Sequence, residues 1–108
     1  MPTPFDSTLY DHLVTMSTEI DDIRPNCGSE FLQTDTQQLK NESNVLMKYT
    51  EFSSKDLHPS IVLVDKAITE LNNVYKKGIP SKAYCSMKLK IINEDLHNIL
   101  IAVGGKHK

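Results

Sequence analysis

The sequence predicts an all-α fold, specifically a short antiparallel up-down four-helix bundle. Three segments repeat apolar residues at alternating spacings of four and three, which is the heptad-like seam of a helix that packs on other helices. Prolines and glycines punctuate the ends of these segments. The chain has 108 residues, which is enough for one modest core and too few for two. We therefore predict a single helical domain over residues 1–108.

The first helix is predicted over residues 8–24. Asp6 or Ser7 can cap its N-terminus, because a short polar side chain accepts a hydrogen bond from the first turn. Pro25 follows the last apolar position and interrupts the helix. The apolar seam consists of Leu9, Leu13, Met16, Ile20 and Ile23.

The second helix, predicted over residues 29–52, is the weakest of the four. Small polar residues occupy every second position of its seam, which reads Leu32, Thr36, Leu39, Ser43, Leu46 and Thr50. No Gly or Pro interrupts residues 34–52, so we still predict a helix. We expect looser packing here, with Val45, Tyr49 and Phe52 holding the C-terminal end while residues 34–38 fray. A three-helix core with a mobile second segment remains the alternative.

The third and fourth helices are predicted over residues 59–77 and 81–103. Pro59 suits the first helical position, and Gly78 can adopt the left-handed angles of a helix stop. The connection through Pro80 is short, so the two helices should form an antiparallel hairpin. Their seams are Leu57, Ile61, Val64, Ile68, Leu71 and Tyr75 in the third helix, and Cys85, Leu89, Ile92, Leu96, Ile99 and Val103 in the fourth.

Composition and the N-terminal stretch indicate an intracellular, by default cytoplasmic, protein without a membrane anchor. No run of about 18 apolar residues could span a bilayer, and MPTPFDSTLYDH lacks the basic and apolar regions of a secretory signal. Cys27 and Cys85 lie far apart in sequence, so we expect reduced thiols. An up-down topology nevertheless brings both to one end of the bundle, where oxidation could join them.

The charge is unevenly distributed along the chain. Residues 1–58 carry ten acids and four bases, whereas residues 59–108 carry four acids and eight bases. The simplest interpretation is that the two halves pack on each other and that the imbalance favours their pairing. The alternative is a basic patch that meets an acidic partner.

No catalytic, metal or cofactor site is predicted. Glu94 and His97 have the i, i+3 spacing by which some helical bundles bind metals. On a helical wheel, however, both point away from the core seam of the fourth helix, and no second such pair exists. The four histidines are scattered over separate segments, and no nucleophile motif or phosphate-binding loop is present. The protein is therefore predicted not to be an enzyme and to need no cofactor.

A second apolar band on the third and fourth helices is the strongest functional signal. A helix in a monomeric bundle needs only one apolar face, so this band predicts contact with a protein partner or with a second copy of the chain. Such a chain would be an assembly subunit, an adaptor or an inhibitor. The alternative is that the weak second helix covers the band. Its residues are Tyr84, Met87, Ile91, Ala102, Leu63 and Val74.

A rival hypothesis is that the chain binds nucleic acid or another acidic surface. Most of the relevant basic residues should gather at one end of an up-down bundle, but few aromatic residues accompany them for base stacking. Nucleic acid is therefore the less favoured partner, and no membrane contact is predicted. The residues are Arg24, Lys76, Lys77, Lys82, Lys88 and Lys90.

Overall fold

Four α-helices in the predicted order make up the fold. The computed structural model describes residues 6–29 and 32–105, and no strand occurs in these ranges. The all-α class is therefore confirmed. The elements are α1 at Ser7–Ile23, followed by a 3-10 turn at Arg24–Asn26, then α2 at Leu32–Ser53, α3 at His58–Lys77 and α4 at Lys82–Gly105.

The helices form a closed ring in which each one packs against the next in sequence. The fourth helix completes the ring by packing against the first. The resulting bundle is elongated, with principal extents of 49 × 21 × 16 Å. Across the described ranges, none of the helices combines the length and apolarity that crossing a bilayer requires.

Local sequence signals explain most helix ends. Asp6 caps α1, since its Oδ1 accepts a hydrogen bond from the Leu9 backbone N–H at 3.0 Å. Gly28 has a φ of 91°, a conformation that favours glycine, in the turn between the 3-10 segment and α2. The prediction for Gly78 was wrong in detail. Its backbone N–H closes the last turn of α3 on Val74, but its backbone is extended rather than left-handed, with φ 160° and ψ 166°.

The predicted apolar seams form the core. The seam residues of α3 and α4 are all buried, as are those of α1 except for the half-buried Ile23 at its end. Seven of the largest fully buried side chains come from α1 and α2, so the polar second helix also contributes to the core. These seven are Leu9, Leu13, Met16, Ile20, Leu32, Leu39 and Leu46.

The small polar residues of α2 are buried against polar partners on α3. The hydroxyls of Thr36, Ser43 and Thr50 recur every seven residues and lie fully buried in the bundle. Each one meets a side chain of α3 that also recurs at about seven-residue intervals. The pairs are Thr36 with Asn72 at 2.9 Å, Ser43 with Asp65, and Thr50 with His58 at 3.0 Å.

This polar ladder corrects the prediction of a loosely packed second helix. A one-residue slip between α2 and α3 would break all three inter-helix hydrogen bonds, each of which contributes about 0.5–1.5 kcal/mol. The hydroxyls would keep only their bonds to backbone carbonyls of α2. The ladder therefore fixes the antiparallel register of the two helices. The predicted apolar anchors were wrong for Val45 and Phe52, which are 55% and 80% exposed. Tyr49 does hold this end, because its hydroxyl donates to Asp6 at 2.8 Å.

Candidate functional site

We call the outer side of the α3/α4 hairpin the α3/α4 groove; the six residues predicted to bind a partner belong to these two helices. Leu63, Met87 and Ile91 are its largest exposed apolar side chains, at 65%, 51% and 46% exposure. Ala102 is also exposed, whereas Val74 and Tyr84 are half-buried. Of the six, Leu63 of α3 and Ala102 of α4 are brought together, because both line one cavity between the helices.

The register of the α3/α4 hairpin accounts for this placement. The Tyr75 hydroxyl contacts the Cys85 sulfur at 3.3 Å near the connection. About one turn further along, Lys88 Nζ lies 3.3 Å from Glu70 Oε2. These contacts align the two helices antiparallel, so Leu63 near the start of α3 lies close to Ala102 near the end of α4.

The second helix does not cover this groove. Instead, α2 packs between α1 and α3, where the polar ladder holds it on the other side of α3. The interpretation that the weak second helix would cover the apolar band was therefore wrong. The reason is that the polar seam of α2 finds its hydrogen-bonding partners on the inner side of α3, not on the outer groove.

A cavity of about 270 Å³ opens at the end of the groove formed by the start of α3 and the end of α4. Leu63 and Ala102, both predicted partner-binding residues, line it. Sequence reasoning missed the polar part of the lining, although Ser60, Asp95 and Asn98 project at the same helical angles as the apolar band. The complete lining is Leu57, Ser60, Leu63, Asp95, Asn98, Ile99 and Ala102.

The predicted basic residues do not form one uninterrupted patch. Arg24 and Lys82 line the same depression at the connection end of the bundle, but Asp21 lies in it as well. Lys88 is engaged in the groove, where it pairs with Glu70 and lies 6.0 Å from the centre of the Tyr84 ring. The remaining lysines are exposed on the surface, namely Lys76, Lys77 and Lys90.

His97 is not the purely solvated residue that the wheel predicted. Glu94 is exposed as expected, but His97 Nε2 lies 3.1 Å from the buried Ser17 hydroxyl of α1. The single proton of Ser17 is donated to Asn93 Oδ1 at 2.6 Å, so the imidazole has to donate to the Ser17 oxygen. Asn93 in turn donates to Asp21 at 2.9 Å. Because Ser17 donates its proton to Asn93, the histidine does not act as a base toward this hydroxyl. The hydrogen bonds among Ser17, Asp21, Asn93 and His97 instead join α1 to α4.

A carboxyl pair lies at the junction of α1 and α2. Burial raises the pKa of Glu19 from 4.5 to about 7, assisted by a hydrogen bond with Glu42 and by the negative charges of Glu42, Asp35 and Asp22. The Oε1 atom of Glu42 is buried without a hydrogen-bond partner. Within the described ranges, no group of three or more His, Cys, Asp or Glu side chains is arranged to hold a metal ion.

The cysteines are joined in the structure, which corrects the prediction of free thiols. Cys27 and Cys85 form a disulfide with a Cα–Cα distance of 5.5 Å. Both residues are buried, at 6% and 0% exposure. The bond ties the turn after α1 to the first turn of α4, across the end of the bundle that also holds Tyr75.

Comparisons of the chain with protein-family models, with curated proteins and with solved structures found no match.

Proposed function

We propose that the protein is a non-enzymatic helical module that binds another protein chain through the α3/α4 groove. The observation that supports this proposal is that Leu63, Met87 and Ile91 of α3 and α4 stay exposed in the folded bundle. An exposed apolar patch on a folded chain often marks a site that binds another protein. Such a module would serve as an assembly subunit, an adaptor or an inhibitor.

An amphipathic helix is the partner element that best fits a groove between two antiparallel helices. Residues 84–102 of α4 extend over about 27 Å at 1.5 Å per residue. A partner helix of about 18 residues would therefore follow the groove from Tyr84 to Ala102. Its apolar side chains would contact Ile91 near the middle, and Leu63 would frame the cavity at the far end.

The charged groups of the groove set the polar requirements on the partner. Glu70 and Lys88 neutralise each other in its middle, whereas Asp95 lines the cavity at its end. A basic side chain of the partner that reaches this cavity would pair with Asp95. Because a charge pair at the rim contributes mainly to specificity and association rate, the apolar side chains supply most of the affinity.

A matched pair of aspartate substitutions tests the proposal. Ile91→Asp places a charge in the groove, while Ile101→Asp makes the same change on the same helix at a residue that is 73% exposed and points away from the groove. The native mass of the chain, purified and in extract of the cells that express it, is measured for both variants. We expect Ile91→Asp to weaken or abolish a complex that Ile101→Asp retains, by at least tenfold in affinity for a central contact.

Circular dichroism separates loss of binding from loss of folding. Leu89, Ile92 and Leu96 form the core seam on the opposite side of α4, so helix content should survive in both variants. If Ile91→Asp unfolds the chain and the native species is a plain monomer, then Ile91 belongs to the intramolecular core and the proposal fails.

Binding to nucleic acid or another acidic surface is the second candidate function. The placement of Arg24 and Lys82 around one depression supports it. A salt titration of binding to single- and double-stranded oligonucleotides tests it, because phosphate contacts weaken steeply with salt. Binding that falls with salt and is lost on substitution of Arg24 and Lys82 would favour this function over the groove.

A further inference from the structure

The only Asn-X-Ser/Thr triplet in the sequence is formed by Asn41, Glu42 and Ser43. This triplet is the acceptor signal for N-linked glycosylation, and its asparagine has to be accessible on the folded protein because a glycan is bulky and hydrophilic. Asn41 meets this condition, since it is exposed on the outer surface of α2. Its Oδ1 accepts a hydrogen bond from Gln37 at 3.1 Å, which leaves the amide nitrogen, the atom that carries a sugar, outside this contact.

One depression beside Asn41 is polar and uncharged. Asn41 lies at the edge of a shallow depression of about 410 Å³ whose lining contains only amide and hydroxyl side chains. Such groups can hydrogen-bond to a sugar ring without desolvating a charge. The lining consists of Gln33, Thr34, Gln37, Gln38 and Asn41.

The disulfide supplies an independent observation about the compartment. Cys27 and Cys85 account for both cysteines of the sequence, and buried structural disulfides persist in secretory and extracellular environments rather than in the reducing cytosol. N-linked glycosylation takes place in that same compartment. A glycan on Asn41 and the Cys27–Cys85 disulfide would both form in this environment.

We propose that Asn41 carries an N-linked glycan, attached in the oxidising compartment where the Cys27–Cys85 disulfide forms. The donor is a lipid-linked oligosaccharide pyrophosphate. The amide nitrogen of Asn41 forms a bond to the anomeric carbon of the first sugar, the bond from that carbon to the pyrophosphate breaks, and the amide gives up one proton. The disulfide forms by exchange with an oxidised dithiol protein, which accepts the two electrons and two protons of the cysteine thiols. This location differs from the intracellular one expected from the composition and from the N-terminal stretch MPTPFDSTLYDH.

The buried position of Ser43 sets the order of events. Recognition of the triplet requires the Ser43 hydroxyl, yet in the folded bundle Ser43 is fully buried and donates to Asp65. Glycan transfer therefore precedes the docking of α2 on α3. The disulfide follows, because the sequence separation of 58 residues means that Cys85 emerges after Asn41 and Cys27. The glycan then lies on α2, which does not line the α3/α4 groove, so the proposed binding face stays open.

The test uses the full chain isolated from the cells that express it. Its intact mass is measured before and after treatment with peptide N-glycosidase in ¹⁸O water, which marks a formerly glycosylated asparagine as labelled aspartate. In parallel, thiols are alkylated in denaturant with and without prior reduction. We expect the label at Asn41 and no alkylation of Cys27 or Cys85 unless the chain is first reduced.

Three variants make the assignment specific to the triplet. Asn41→Gln should abolish the glycan mass. Ser43→Thr preserves the acceptor signal and should retain it, while Asn44→Gln, which alters a nearby asparagine outside any triplet, should also retain it. An unmodified Asn41 in the chain from its own cells would overturn the proposal, as would thiols that react without reduction. Glycan mass that persists in Asn41→Gln would also overturn it.

Discussion

The carboxyl pair between α1 and α2 makes a prediction about how stability depends on pH. Glu19 has a pKa of about 7 in the folded chain, against 4.5 for the ordinary carboxyl group. A group whose folded pKa is raised binds a proton more tightly in the folded state than in the unfolded state. The free energy of unfolding therefore falls as the pH rises through the window from 4.5 to about 7. Below this window the group is protonated in both states and contributes no pH dependence.

Glu19→Gln removes this titration and should stabilise the chain at high pH. A pKa difference of this size corresponds to at most about 3 kcal/mol by linkage. Glu19 is only half-buried, so solvent screening reduces the expected gain to about 1 kcal/mol at pH 8. The glutamine also donates a hydrogen bond to Glu42, which a second carboxylate cannot do.

Urea and thermal unfolding of wild type and Glu19→Gln at pH 4 and pH 8 measure this effect. We expect little difference at pH 4 and an increase of roughly 4–8 °C in the melting temperature of the variant at pH 8. Glu94→Gln, a change of the same kind at an exposed site on α4, serves as the control and should not show this pH dependence. An equal change at both pH values, or a pH dependence equal to that of the control, would refute the reasoning.

Three further predictions concern contacts inside the bundle. Asn72→Ala removes the inter-helix hydrogen bonds of Asn72 to Thr36 and Gln37. Each contributes about 0.5–1.5 kcal/mol, so the free energy of unfolding in a urea titration should fall by about 1–3 kcal/mol. An unchanged value would mean that the ladder does not hold the register. Cys27→Ser opens a disulfide that closes a loop of 58 residues and should cost up to about 4 kcal/mol. Reductant should destabilise the wild type but not this variant, and a wild type insensitive to reductant contradicts the structural role of the bond. His97→Ala should cost about 0.5–1.5 kcal/mol through the lost donation to Ser17, with groove binding intact; a loss of binding would place His97 in the interface.

The sequence alone was sufficient to predict where the helices lie and which face of each is buried. Apolar spacing and helix-ending residues act over a few neighbouring positions, so they can be identified without knowing the fold. The same wheel arithmetic located the apolar band, and Leu63, Met87 and Ile91 of this band are exposed in the structure. The wheel did not reveal that Asp95 and Asn98 line the cavity at the end of the groove, because polar residues give no periodic signal of their own.

Pairing between distant segments was decided only by the tertiary structure. Thr36, Ser43 and Thr50 weaken the apolar seam of α2 when that helix is considered alone, and their role becomes clear only when Asn72, Asp65 and His58 face them. Cys27 and Cys85 became a disulfide because the ring order of the helices places both at one end. The openness of the α3/α4 groove likewise depends on where α2 docks. Each outcome depends on contacts between residues far apart in sequence, which local propensity cannot specify.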